Sequence, residues 1–226
     1  MDVKQILSQC DHTLLGQTAT WGEIRQTCDD ALKFGCATVC IPPAYVRPAA
    51  EHLCDSIRIC TVIGFPNGYE TTRTKAFEAE EAVRCGADEI DMVLHLGWVK
   101  DKCWDQIHNE IRTVKAACAG RVLKVIVETC LLTEEEKRKL CEIVTLTGAN
   151  FIKTSTGFST GGAAVEDVIL FRKHLGPGVK IKASGGIRTL ASAQALLEAG
   201  ADRLGASALV GLLKEQQKGS LSASAG

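Results

Sequence analysis

Two segments of this chain put lysines where lysines are costly. Residues 150–162 read Asn-Phe-Ile-Lys-Thr-Ser-Thr-Gly-Phe-Ser-Thr-Gly-Gly, and residues 179–188 read Val-Lys-Ile-Lys-Ala-Ser-Gly-Gly-Ile-Arg. In each, a strand-like apolar run carries a lysine and then opens into a loop of glycines and hydroxyls. A lysine in such a run is almost never fully buried unless something pairs with it. Lys153 and Lys182 therefore suggest amine chemistry beside an anion-binding loop. A free lysine amine has a pKa of about 10.4 and is almost entirely protonated at neutral pH. A neighbouring ammonium and partial desolvation favour the neutral amine, as in enzymes that form Schiff bases. A carbonyl compound held on Lys153 as an iminium would be an electron sink that permits carbon–carbon cleavage. Lys182 would supply the neighbouring positive charge, and Asp91 would handle protons through water. For one strand lysine alone, a structural ion pair is an equally good reading. A cluster of them near strand C-termini favours catalysis.

A short repeat places these residues. Gly35-Cys36-Ala37-Thr38-Val39-Cys40 is its loosest copy, and closer copies begin at Gly86, Gly148 and Gly200. Each glycine ends an amphipathic run, as a helix-terminating residue does, and a short strand follows. The copies recur 51, 62 and 52 residues apart, about two strand-plus-helix units each. Four further strands lie between them, at Asp11–Leu15, Ile57–Gly64, Val122–Glu128 and Val179–Ala183. Helices are predicted over Thr20–Phe34, Pro43–Cys54, Thr71–Arg84, Asp101–Ala117, Thr133–Leu146, Gly162–His174 and Thr189–Glu198. Eight alternating strand–helix units predict an α/β protein, a single-domain (β/α)8 TIM barrel over residues 1–216 with a frayed tail at 217–226. A doubly wound open sheet is the alternative, disfavoured because no Gly-x-Gly-x-x-Gly follows the first strand.

The repeat also sets phase. Cys40, Asp91, Lys153 and Gly205 each fall five residues after the repeat glycine, so they occupy equivalent positions on strands two, four, six and eight. Alternate strands supply one interior layer of such a barrel. Asp91 and Lys153 are thus predicted to share a layer, with Cys40 beside them and Gly205 leaving space. Period-two alternation puts Lys124, Ile126 and Glu128 on one face of strand five, and Lys180, Lys182 and Ser184 on one face of strand seven. The expected interior cluster is Asp91, Lys124, Lys153 and Lys182, joined by Asp11. The loops after strands seven and eight are the usual phosphate site of this barrel. Here they offer Gly185, Gly186, Arg188, Gly205 and Ser207, with backbone amides and a helix N-terminus to receive an anion. Thr156 and Gly157, after Lys153, are expected to shape the same site.

Composition excludes much else. The 226 residues are 46% hydrophobic with a net charge of −1, so no bulk field points to nucleic acid or an anionic membrane. The N-terminus lacks a basic-then-apolar signal layout, and no apolar run approaches the ~20 residues of a membrane span. Eleven scattered cysteines without Cys-x-x-Cys spacing argue against a disulfide framework or structural zinc and for a reducing cytoplasm. The five histidines show no metal-ligand spacing; His95 is placed at the barrel mouth or on the surface. Trp98 and Trp104 read as packing residues, and Cys40 as a packing residue or a thiol near the site.

These residues resemble the deoxyribose-phosphate aldolase family. The motifs run in order: Asp11-His12-Thr13-Leu14-Leu15, the segment 61–68 (Thr-Val-Ile-Gly-Phe-Pro-Asn-Gly), Glu89-Ile90-Asp91-Met92-Val93, the segment 124–129, the segment 151–158 and the segment 182–188. The resemblance implies a Schiff-base lysine at Lys153 and a proton donor/acceptor pair at Asp91 and Lys182. It gives supporting roles to Asp11, Thr13, Cys40 and Lys124. It implies reversible cleavage of 2-deoxy-D-ribose 5-phosphate to acetaldehyde and D-glyceraldehyde 3-phosphate, in deoxyribose phosphate catabolism. No metal, organic cofactor, nucleic acid or membrane partner is expected, and self-association into a homodimer is left open. The chain departs from the family pattern at Leu94-His95, at Phe158 where some members have lysine, in the last loop at Ala208, and in lacking a terminal tyrosine. Two other readings compete: another phosphosugar aldolase or isomerase on the same barrel, and a phosphosugar-binding barrel without turnover.

Overall fold

The computed structural model describes residues 1–215; the tail expected at 217–226 lies outside them. Eight parallel strands close into a barrel in sequential order. They are β1 Cys10–Thr13, β2 Thr38–Ile41, β3 Arg58–Ile63, β4 Glu89–Val93, β5 Val122–Ile126, β6 Phe151–Lys153, β7 Lys180–Ser184 and β8 Arg203–Ala206. The helices are α1 Val3–Leu7, α2 Trp21–Lys33, α3 Val46–Leu53, α4 Thr72–Arg84, α5 Leu96–Lys100, α6 Trp104–Ala117, α7 Glu134–Thr147, α8 Val165–His174 and α9 Leu190–Glu198. A further helical segment runs over 209–215.

Local chemistry explains where the outer helices begin. Thr20 with Glu23, Thr133 with Glu136 and Thr189 with Ser192 form reciprocal caps that satisfy the first free amides of α2, α7 and α9. Each helix turns its apolar stripe onto the barrel; α2, for example, buries Ile24, Cys28 and Ala31. The strands themselves are almost wholly buried, as parallel strands covered by helices must be.

Several elements differ from the sequence reading, for local reasons. The short α1 was not anticipated; it buries Ile6 and Leu7 against β1 and α9. The helix expected over 101–117 begins only at Trp104, because Lys102 adopts a left-handed backbone (φ 56°), and a separate short helix, α5, precedes it. The segment expected as one helix from Pro43 opens with a 3-10 turn, Pro43–Tyr45, before α3. Strand five stops at Ile126, and Glu128 turns left-handed (φ 53°). Alternation therefore does not carry Glu128 onto the face of Lys124.

A buried ion pair ties the wall of the barrel mouth together. Lys75 on α4 is fully buried; its ammonium donates to Glu110 on α6 at 2.8 Å and to the Gly68 carbonyl at 2.7 Å. The other Glu110 oxygen accepts from the His95 amide at 3.1 Å. The pair so fixes the loop after β3 and the turn after β4. Substitution Glu110→Ala leaves the Lys75 charge buried without a carboxylate, and equilibrium urea unfolding should show a loss of about 3–5 kcal/mol.

Candidate active site

The Asp91 carboxylate, on β4, is the hub of the barrel interior. Lys124 from β5 donates to its Oδ1 at 2.7 Å, and Lys153 from β6 and Lys182 from β7 each donate to its Oδ2 at 2.7 Å. The Cys60 thiol, from β3, donates to Oδ1 at 3.2 Å. Below it, Asp11 on β1 pairs with Lys182 at 2.5 Å and with Arg203 on β8 at 2.6 Å. Glu89, also on β4, pairs with Lys124 at 2.7 Å and Arg203 at 3.2 Å. Three carboxylates thus face four cations, all buried apart from a small exposed part of Arg203; the exposed Arg58 also comes within 3.8 Å of Glu89.

Such burial is tolerated only because every charged group has an oppositely charged partner. Loss of water opposes the charge on Asp91, but the combined field of Lys124, Lys153 and Lys182 outweighs it and holds the carboxyl well below the usual carboxylate range. Burial likewise opposes the charge on Lys124, yet Asp91, Cys60, Asp11 and Glu89 push that ammonium well up. Lys182 is pushed up in the same way by Asp11 and Asp91. Asp91 is thereby a carboxylate and Lys124 and Lys182 are ammonium ions.

Gly205 makes room for this arrangement. A Cβ there would sit 2.9 Å from the Ser184 Cβ and 3.1 Å from the Lys182 Cε. Only a bare α-carbon lets Lys182 cross in front of β8 toward Asp91.

A cavity of about 340 Å³ opens above this layer at the C-terminal ends of the strands. Lys153 lines it, while Asp91, Lys124 and Lys182 lie behind its wall. Thr13 and the following residues Leu14, Leu15 and Gly16 form one side. Thr156, Gly157 and Phe158 form another, and Ser184 through Arg188 with Gly205, Ala206 and Ser207 complete it. Every residue expected to hold an anion therefore lines this cavity: Thr156, Gly157, Gly185, Gly186, Arg188, Gly205 and Ser207. Gly185 and Gly186 take positive φ angles of 87° and 75°, and the Gly162 backbone lies so close to Gly185 that a Cβ on it would be 2.3 Å from the Gly185 carbonyl oxygen. Glu128 accepts from the Thr156 hydroxyl and amide and so holds the loop after β6.

The remaining expectations resolve plainly. Cys40 is buried, packed with Cys60 and Val62 under Leu15 and Phe65. His95 caps α5 through Nδ1 and stacks on Trp98 at 4.4 Å, away from the cavity lining. Phe158 is half exposed at the mouth, edge-on to Phe65 at 5.3 Å. Two buried groups offer metal-ligand atoms, Cys40 with Cys60 and Asp91, and Asp11 with Cys60 and Glu89. Their carboxylates are already paired with ammonium or guanidinium groups, whose charge repels a cation. Three contributors were missed in the sequence: Glu89, Arg203 and Cys60. Alternation carries the signal for the first two, since Glu89 stands two residues before Asp91 and Arg203 two before Gly205.

A family model described as DeoC/LacD family aldolase matches residues 6–215. The chain belongs to this aldolase family. Among similar proteins, the deoxyribose-phosphate aldolase of Clostridioides difficile is 52% identical, over 95% of this chain and 98% of the relative. That of Streptococcus pyogenes is 55% identical, over 96% and 97%. Among solved structures, one described as "QR15, an Aldolase" superposes with a TM-score of 0.89 at 38% identity, over 96% of this chain and 97% of that one. The tetrameric deoxyribose phosphate aldolase of Aeropyrum pernix gives 0.88 at 31%, over 96% and 92%. This chain is an aldolase, a lyase on a TIM barrel. No helix among the described residues is long and apolar enough to cross a membrane.

The buried carboxylates set the acid stability of this aldolase. Asp91 and Asp11 are held below their ordinary values in the fold, so their contribution is complete above the unfolded carboxylate value of about 3.9 and is lost as pH falls below it. Stability should therefore fall steeply below about pH 4. In Asp91→Asn the slope of unfolding free energy against pH, measured by denaturant titration between pH 5 and 3, should be shallower.

Proposed function

We propose that this aldolase makes and cleaves 2-deoxy-D-ribose 5-phosphate through a Schiff base on Lys153. The observation that carries the reading is that Lys153 alone of the three clustered lysines lines the cavity, while its ammonium shares the Asp91 Oδ2 with Lys182. Three carboxylates and four cations leave one surplus positive charge. Lys124 and Lys182 are held protonated, and Arg203 keeps its charge, so Lys153, the lysine at the cavity, is the one left to act as the nucleophile.

The amine of Lys153 attacks the C1 aldehyde of the open-chain sugar, and loss of water leaves the iminium. A base removes the C3 hydroxyl proton, the C2–C3 bond breaks, and its electron pair moves into the iminium to give an enamine. D-Glyceraldehyde 3-phosphate departs; a proton then adds at C2, and water releases acetaldehyde and restores Lys153. Asp91, held as a carboxylate, is suited to accept a proton through water, and Lys182, held as an ammonium, to donate one. The iminium itself is the electron sink, so this sequence calls on no metal or organic cofactor. The Gly185-Gly186 turn, Arg188 and Ser207 receive the phosphate, with the N-terminus of α9 beyond them. Asp11, Lys124, Thr13 and Cys40 support the layer. Eleven free thiols support a reducing cytoplasmic setting, and the reaction suits deoxyribose phosphate breakdown.

Acetaldehyde with borohydride should leave a reduced two-carbon adduct on the Lys153 peptide by mass spectrometry. Lys153→Ala should lose adduct and turnover together, by at least about 1,000-fold. An intact Lys153→Ala enzyme, or one inhibited by chelators without a trappable imine, would sink the reading. Arg188→Ala should raise KM for the phosphorylated sugar by about 10- to 100-fold, the worth of a hydrogen bond to a charged group, and leave turnover of unphosphorylated 2-deoxyribose little changed.

A further inference from the structure

Cys60 takes no part in the steps above, yet its sulfur touches the hub of the site. It is fully buried on β3, in register with Cys40 of β2 and Glu89 of β4; the residue in register with Asp91 is Val62. Cys60 therefore starts one layer below Asp91 and reaches up to it. Its Sγ accepts from the Lys124 ammonium at 3.2 Å and donates to the Asp91 Oδ1 at 3.2 Å, while Lys124 also donates to that same oxygen at 2.7 Å. The three groups close a triangle. Other acceptors are weaker: the Thr61 carbonyl is 3.8 Å away, and the neighbouring Cys40 is a poorly accepting sulfur.

The two Asp91 oxygens thus have different surroundings. Oδ2 faces Lys153 and Lys182, the groups that react and move protons. Oδ1 faces Lys124 and the Cys60 thiol, which do neither. We propose that Cys60 is a positioning residue for Asp91, clamping Oδ1 with Lys124 so that Oδ2 stays aimed between Lys153 and Lys182. Burial keeps the thiol protonated, so it serves as a donor. The inference rests on the proton role given to Asp91 above.

The donor also favours the charged carboxylate, alongside the other groups that face it. Those that favour it are Lys124 on β5, Lys153 on β6 and Lys182 on β7; the like charge of Asp11 on β1 opposes it, Cys40 on β2 lies beside it, and Glu89 and Arg203 act through Lys124 and Asp11. Removing the thiol withdraws one hydrogen bond from the ionised form, which raises the Asp91 pKa.

The test compares the Cys60→Ala and Cys60→Ser enzymes. Alanine removes the donor; serine keeps one. The alanine enzyme should lose about three- to tenfold in kcat with KM little changed. Serine, which restores a donor, should recover most of the loss. An alanine enzyme with unaltered kcat overturns the proposal. So does a serine enzyme as impaired as alanine, or a fall in kcat accompanied by an equal rise in KM. Borohydride trapping on the same variants separates the two readings. If the unsubstituted enzyme traps no imine, the Lys153 assignment fails, whereas Cys60 is judged by the kcat-against-KM split and the serine rescue.

Discussion

Everything in this barrel is arranged around a carboxylate that three ammonium ions share. Asp91 could not stay ionised in a dry interior alone, and Lys124, Lys153 and Lys182 could not be buried without it. Each charge is the condition for the others. The cluster ends at Arg203, whose guanidinium spans Asp11 and Glu89 near the opposite end of the strands and closes the chain of pairs. Such a network is a poor source of net stability compared with apolar packing. What it provides is a lysine at the cavity wall, in contact with a carboxylate and within reach of a second, permanently charged lysine.

The barrel serves this network by geometry. Inward side chains from eight strands converge, so lysines on β6 and β7 reach one oxygen atom of Asp91 on β4 although they lie 62 and 91 positions from it. The space for that convergence comes from small residues as much as from charged ones. Gly205 leaves the path for Lys182, and the thiols of Cys40 and Cys60 fill the side where no charge is needed. The outer helices keep water away, and the Lys75–Glu110 pair fastens the loops at the mouth. Rigid support beneath and a glycine-lined opening above suit a site that holds a small anion-bearing carbonyl compound.

Much of this was legible in the chain. The glycine-led repeat marked four strands and their phase, which put Asp91 and Lys153 in one layer before any contact was known. It worked because a closed barrel obeys strict two-residue and alternate-strand periodicities. The same alternation contains Glu89 and Arg203, two residues before Asp91 and Gly205. Cys60 carried no signal: one thiol among eleven looks like core filler until its neighbours are known. Boundaries failed where single residues take left-handed backbone, at Lys102 and Glu128, since neither residue type announces that conformation.

The amino-acid sequence by itself determined the architecture and the cast: an eight-fold strand–helix alternation, lysines in apolar runs, and glycine-rich loops after the strands that carry them. Periodicity suffices for this because it is local, set by the two-residue strand repeat and the helix-ending glycines. Only the tertiary structure decided which lysine meets the cavity and which stay behind it, and which oxygen of Asp91 each one binds. Those outcomes depend on strand tilt, side-chain reach and the summed field of seven charges, and none of these is a property of any segment alone.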